Sequence, residues 1–387
     1  MRKMKLAMLI VFCVMLFGGT VVSFVLPDRE FSDVENRELA KKPKITAKRI
    51  LSGEYQKEYD TYLSDQFFFR DKWVDLAVRE QIALGKKDFN GVYLGKNNYL
   101  LEKYEKADFD SGQIKENETY LTTFLNETEK RYGRKHVRAM FVPSKTTALT
   151  NVLPAYADTI DWQSKIRDLQ TKVDEPNLIY DLTKTMQSHN EEYIYYRTDH
   201  HWTTLGAYYA YTEFCKAKGI TPESLDAYSK KQDFDGFLGS FYNDTSDAKL
   251  KANPDTVTAY YPNAESICHV TASDGKKYDW PVIYDVSNYN AGLKYSTFIA
   301  SDNPYTEIEN KDLSDGSSCI VVKESFGNAF IPFLVDHYQT VYVVDYRYWT
   351  GSISKLAQDK NVNDVLFLNN LSMIRNKSLV GKLYRVL

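Results

Sequence analysis

The sequence predicts an α/β protein: a three-layer sandwich around a mostly parallel sheet, with an inserted β-rich lobe and an N-terminal membrane helix. Three observations predict it. Short apolar runs alternate with helical patterns early and late in the chain, as βαβ units require. That rhythm breaks at about residues 228–315, where Asp, Ser, Asn and Tyr crowd around short β-like pieces. Near the N-terminus, residues 6–26 carry no charge at all.

Taken in order, residues 1–27 read as a cytoplasmic stub and a transmembrane or signal segment. MRKMK precedes LAMLIVFCVMLFGGTVVSFVL, twenty-one residues that are long enough to cross a hydrocarbon core as a helix. The positive charge in front of the run keeps the N-terminus in the cytoplasm and sends the rest outward. A cleaved signal peptide is the alternative, with small residues at Gly19–Ser23 but no A-x-A site. Either way the bulk of the chain is exported. Uncleaved, it is a single-pass protein of the cell membrane, held to lipid by its helix; cleaved, it is secreted. Residues 28–54 are charged and proline-punctuated and read as a stalk, so the domain proper spans 55–387.

Within that domain an amphipathic helix is expected from Tyr55 to about Leu84, then a hairpin over GVYLGKNNYLLEKY (91–104) with its turn at Gly-Lys-Asn-Asn. A helix at 111–132 leads to strands at HVRAMFVP (136–143) and NLIYDL (177–182). Another helix begins near Thr204, with Gly219 as its C-cap. The C-terminal part reads SCIVVKES (strand), FGNAFIPFLVDHY (helix), TVYVVD (strand), TGSISKLAQDK (helix) and NDVLFLNN (strand). In the lobe, TVTAYYP, ESICHVTA and WPVIYDV are the β-like pieces. Open α/β sheets bind ligands at the carboxyl ends of their strands, so a lobe packed there would help to build the cleft.

Composition narrows the class. Of 387 residues 43% are hydrophobic, enough for a substantial core, and Lys+Arg at 49 against Asp+Glu at 52 argues against a nucleic-acid partner. No fixed-period repeat is present. Cys13 lies in the apolar run; Cys215, Cys268 and Cys319 show no metal-ligand spacing and allow at most one disulfide. The 30 tyrosines fit half-buried packing or a sugar-binding surface.

Two places carry candidate chemistry. Ser325, in CIVVKESFGNAF, follows a strand where a helix begins, with Gly327 and Asn328 allowing a close turn. Such a position suits a nucleophile, because helix N-terminal N–H groups can stabilise an oxyanion; it equally suits a plain N-cap. The second is TDHHWTT (198–204). Adjacent histidines cannot face one point on a helix, and no H-x-x-x-H spacing exists, so no metal is expected. In an extended segment residues i and i+2 point the same way, so Asp199 could hold His201 as a base while His200 points elsewhere. A histidine pair hydrogen-bonded in the core is the competing account.

YYRTDHHWTTLGAYYAY and VVKESFGNAFIPFLVDHY resemble the DHHW protein family, related to SGNH-hydrolase-like proteins that O-acetylate exported polysaccharides, including the alginate acetylation proteins. SDVENRELAKKPKIT, DQFFFRDKW, FVPSKT, YSTFIASDNPYTEIEN and VVDYRYW extend the resemblance over nearly all of the chain beyond the membrane segment. It implies an SGNH-like fold with permuted catalytic order: Asp199 orienting His201, the base for the nucleophile Ser325. Oxyanion or substrate contacts are expected from Gly327, Asn328, Asn303, Lys145, Arg347, His200 and Trp202. Asn303 falls where relatives have Gly-Gly-Asn, although Ser301 and Asp302 replace the glycines; Glu324 stands where Asp is expected. Lys145 and Arg347 would otherwise be surface cations. The implied activity is a cofactor-free, serine-dependent O-acetyltransferase or acetylesterase acting on a cell-surface polysaccharide, with a membrane acyl-transfer protein as a candidate acetyl source. A catalytically inactive glycan-binding or scaffold module is the alternative.

Overall fold

The computed structural model describes residues 2–29, 31–32, 37–89, 91–104, 109, 112–245 and 248–387. The chain divides into two compact units, residues 1–86 with 242–252, and residues 87–241 with 253–387.

In the first unit the apolar run does not form one α-helix. Helices Arg2–Cys13 and Gly19–Val25 flank a π-helical segment, Val14–Gly18. Among the described residues no helix is long and apolar enough to cross a membrane. A Cβ on Gly19 would overlap the Phe68 ring, and the Phe68 N–H donates to Ser23 Oγ, so this stretch packs on residues of its own unit. The helix expected from Tyr55 to Leu84 is two, Glu54–Asp65 and Arg70–Ala83, broken where Phe69 adopts a left-handed φ of 50°. Residues 30 and 33–36 of the expected stalk lie outside the described residues, and the expected domain start at 55 falls inside this unit.

The second unit is built on an eight-stranded sheet. Its strands are β1 (Val137–Val142), β2 (Ile179–Asp181), β3 (Ser266–Thr271), β4 (Lys277–Trp280), β5 (Tyr305–Asn310), β6 (Ser318–Lys323), β7 (Thr340–Asp345) and β8 (Asp364–Asn370). They lie in the order β4-β3-β5-β7-β6-β8-β1-β2. From β7 to β2 all neighbours are parallel; β5, β3 and β4 extend the other edge in antiparallel fashion. The stretch expected as a separate lobe therefore supplies three strands of the main sheet. The hairpin of Lys231–Phe237 with Asp255–Tyr260 forms a two-stranded sheet of its own. WPVIYDV contributes only Trp280 to a strand.

The parallel strands are buried on both faces, which is why they read as continuous apolar runs. Along β6, Cys319 and Val321 join one core with Leu366 and Leu368 of β8, while Ile320 and Val322 join the other with Val365 and Phe367. Helix Thr204–Lys218 covers the first face through Ala207, Ala210 and Phe214. Its ends match the sequence reading: Thr203 caps the start and Gly219 stops it at φ 72°. Helices Gly112–Tyr132, Trp162–Lys172 and Lys377–Arg385 cover the second face. The 91–104 hairpin forms, with Asn97 and Asn98 supplying left-handed turn residues at φ 55° and 62°. Cys215, Cys268 and Cys319 are buried free thiols.

The carboxyl ends of β6 and β7 are tied by charge. Lys323 Nζ, fully buried, lies 3.0 Å from Asp302 Oδ1, 3.0 Å from Asp345 Oδ2 and 2.7 Å from Asn328 Oδ1. Arg347 holds Asp345 with two hydrogen bonds, at 2.8 and 2.6 Å, and reaches Asp302 at 2.8 Å. Burial alone would lower the Lys323 pKa, but Asp345 and Asp302 outweigh it and the net shift is upward. Breaking one member of a buried ion network costs about 3–5 kcal/mol. Lys323→Met is expected to lose stability of that order in urea unfolding; an unchanged midpoint would show that the cluster contributes nothing to the fold.

Candidate active site

A cleft of about 900 Å³ opens at the carboxyl ends of the parallel strands. Its walls come from Ser325 just after β6, Arg347 after β7, and Asn370 at the end of β8 with Ser372, Met373 and residues 375–379 beyond it. This is where a parallel α/β sheet leaves its strand ends free to carry side chains.

Ser325 stands two residues beyond β6 and two before the short helix Gly327–Phe330. Gly327 is needed for close approach: a Cβ there would lie 2.7 Å from the Lys323 Cβ. Ser325 Oγ is 2.7 Å from His201 Nε2, and His201 Nδ1 is 2.5 Å from Asp199 Oδ1. The His201 N–H also donates to Asp199 Oδ1 (2.9 Å), and the Ser240 N–H donates to Oδ2 (2.8 Å). All three side chains are buried, Ser325 only 9% exposed at the cleft floor. Burial alone would raise the Asp199 carboxyl, but His200, His201 and these hydrogen bonds outweigh it and hold it well below the usual carboxylate range.

The turn that presents these groups is closed, with Tyr196 N–H donating to His201 O and an isolated bridge between Tyr195 and Trp202. Because residues 198–201 bend instead of extending, the two imidazoles do not face opposite ways. Their ring centres are 3.8 Å apart, and His200, lining the cleft, places Nδ1 2.8 Å from Ser240 Oγ. Trp202 is fully buried, and its indole N–H donates to the carbonyl of Phe326 at 3.0 Å. It braces the turn that carries Ser325 from behind and does not line the cleft.

The remaining expected contacts divide similarly. Arg347 lines the cleft, though committed to Asp345 and Asp302. Asn328 is buried between Lys323 and Asp302. Asn303 turns its amide to Ala300 O at 2.7 Å and is not part of the cleft wall. It follows Ile299, Ala300 and Ser301, all left-handed at φ 46°, 58° and 68°. For non-glycine residues that conformation costs about 1–2 kcal/mol each; here it delivers Asp302 to Lys323. Lys145 is neither a surface cation nor a cleft residue: it is fully buried, donating to main-chain carbonyls.

One contributor, Tyr295, escaped the sequence reading, and Glu324 was noted there only as standing where Asp is expected. Tyr295 stacks on His201 (ring centres 4.1 Å, planes 14° apart) and donates its hydroxyl to Ser325 O at 3.1 Å. One tyrosine among 30 carries no signal for this. Glu324, half-buried in the cleft wall, has Oε2 3.2 Å from Ser325 Oγ and Oε1 accepting from Asn370 N–H; desolvation raises its carboxyl pKa. Asp199, His200 and His201 do offer ligand atoms within 4.8 Å of one another. Those of Asp199 and His201 are already engaged with each other, with Ser240 N–H and with Ser325, so metal binding would dismantle the hydrogen-bonded line.

Gly239 sits against Asp199. A Cβ added there would overlap the Asp199 Cβ and carboxylate. Gly239→Ala is expected to destabilise the protein by about 1–3 kcal/mol, as overpacking does, and a thermal melt indistinguishable from wild type would contradict that packing.

The model of the DHHW protein family matches residues 117–344. Among solved structures, a DHHW family protein from Eubacterium siraeum DSM 15702 superposes with a TM-score of 0.66 at 27% identity, covering 78% of this chain and 97% of its own. Bacillus cereus PatB1, solved with a sulfonyl adduct, gives 0.59 at 22% identity, covering 74% and 97%. The O-acetyltransferase domain of Pseudomonas putida AlgJ gives 0.44 at 15%, covering 76% and 98%. No curated protein matches the sequence. With the family model spanning more than half of its length, the chain belongs to the DHHW protein family.

Proposed function

We propose that this protein is an extracytoplasmic, serine-dependent O-acetyltransferase or acetylesterase that acts on a cell-surface polysaccharide through an acyl-serine intermediate. The observation that carries this reading is the unbroken line of hydrogen bonds from Asp199 through His201 to Ser325, ending at the floor of an open cleft. Similarity to the AlgJ acetyltransferase domain agrees with it but is too distant to carry it.

In this scheme His201 Nε2 takes the proton of Ser325 Oγ as that oxygen attacks the acetyl carbonyl. Asp199, fixed by Ser240 N–H, steadies the imidazolium. The proton passes to the departing oxygen, leaving acetyl on Ser325. A sugar hydroxyl, or water, then gives its proton to His201 and attacks the ester, and Ser325 recovers its hydrogen. The uncharged run at 6–26 supports export, with lipid contact by that segment and acetyl groups supplied by a membrane acyl-transfer partner.

Removing a triad member costs several orders of magnitude in rate. Ser325→Ala and His201→Ala in the full-length protein are expected to lower p-nitrophenol release from p-nitrophenyl acetate by about 10³-fold or more. Wild type should also take up a sulfonyl fluoride at Ser325. No turnover and no adduct with wild type would defeat the enzyme reading. Glycan binding that then survives Ser325→Ala would mark the protein as a binding or scaffold module.

A further inference from the structure

We propose that Lys145 is a positioning residue of this site: its buried ammonium gathers main-chain carbonyls of the Tyr196–His201 turn and so sets the seat of Asp199 and His201. The proposal rests on the acyl-transfer reading for its catalytic consequence, but its geometry stands alone.

Lys145 follows β1, Pro143 and Ser144, and is fully buried. Its Nζ donates to Leu100 O at 2.7 Å and to the carbonyls of Tyr196 and Asp199. An ammonium has three donors, and all three end on backbone carbonyls. Packing alone would be served better by an apolar side chain, which has no charge to desolvate. What the cation adds is attraction for three carbonyl dipoles that would otherwise repel one another. Two of them belong to the turn, and one is the carbonyl of Asp199 itself, whose carboxylate holds His201.

The opposite side of the turn is held by an anion. Buried Asp255 accepts from the N–H and Oγ1 of Thr198 and from the N–H and Nε of Arg197. The hairpin strand joins the same assembly, because Leu100 N–H donates to Arg197 O. Carbonyls turned to Lys145 and N–H groups turned to Asp255 leave the turn little freedom.

The titratable groups facing Lys145 are Glu102, Asp199, Asp255 and His200, the last held neutral by burial, with the rings of Phe241 at 5.0 Å and Tyr99 at 6.0 Å. Burial pushes the lysine down to about 8, against the pull of the three acids. Below that pH all three donors are present. Above it the neutral amine keeps two and sets a lone pair against the third carbonyl, which loosens the turn.

The test uses the full-length protein. The far-downfield proton resonance of the Asp199–His201 hydrogen bond is followed against pH in a Ser325→Ala background, and kcat against pH with Ser325 intact. The resonance and kcat are both expected to fall with a midpoint near about 8. In Lys145→Arg, whose guanidinium stays charged, both midpoints should move beyond about pH 10. Lys145→Met should lack the resonance at every pH and lose kcat about 10²-fold with KM little changed, as misplacement of reacting groups does. If Lys145→Met fails to fold, the wild-type and Lys145→Arg titrations decide. A merely structural lysine would leave those midpoints coincident, and that result overturns the proposal. A resonance that behaves as expected in a protein without acetyl turnover would instead overturn the acyl-transfer reading and leave the positioning role standing.

Discussion

Everything at the site depends on how the turn from Tyr196 to His201 is held. A loop carrying an acid, two imidazoles and a buried indole is an awkward thing to fix by packing, because most of its surface is polar. Here it is fixed by complementary charge on its two sides, Asp255 for its N–H groups and Lys145 for its carbonyls. Trp202 then links the turn to the main chain of Phe326, and Tyr295 links the His201 ring to the main chain of Ser325. The Ser–His distance is thus set by main-chain braces on both partners, not by the one hydrogen bond between them.

Lys323 and Lys145, both fully buried, show how differently one side chain can be accommodated. Lys323 is neutralised by Asp302 and Asp345, so its charged form is favoured despite burial. Lys145 meets only dipoles at hydrogen-bond range, so burial wins and its charged form is weakened. The first therefore acts as a permanent tie between β6 and β7, while the second is a tie that pH can loosen. The left-handed run Ile299–Ser301 belongs to the first arrangement: its strain is the structural cost of bringing Asp302 to Lys323 from outside the sheet.

What the sequence made legible follows from the range of the forces involved. β1, β6, β7 and β8 are visible because a parallel strand buried on both faces has no polar face to show. β5 was missed as a sheet strand because YTEIEN buries only Thr306, Ile308 and Asn310 and looks like surface between them. The break at Phe69 has no Gly or Pro to announce it. At the site, Ser325, His201 and Asp199 stood out because a strand end and a D-x-H spacing are local patterns. The inference that sent His200 to the far side assumed an extended chain and failed when the segment bent. Lys145 was misread because its partners lie 45 to 54 residues away and are backbone atoms, which no side-chain pattern records.

Under the proposed acyl-transfer function, the cleft bears on which acceptor completes the reaction. An acetyl group fills only a small part of about 900 Å³, a volume in the range of pockets that enclose much larger ligands. The wall beyond Ser325 is largely polar, with Asn370, Ser372, Asn376 and Ser378 offering amides and hydroxyls suited to sugar hydroxyls. For an acyl-serine formed at the floor, hydrolysis and transfer differ only in which O–H group reaches His201 Nε2 first. A glycan held along that wall would bring its hydroxyl to the imidazole at an effective concentration that can rival bulk water. On the proposed function, the balance between esterase and transferase rests on the wall formed by Asn370, Ser372, Met373 and residues 375–379, not on the triad, which would serve both reactions equally.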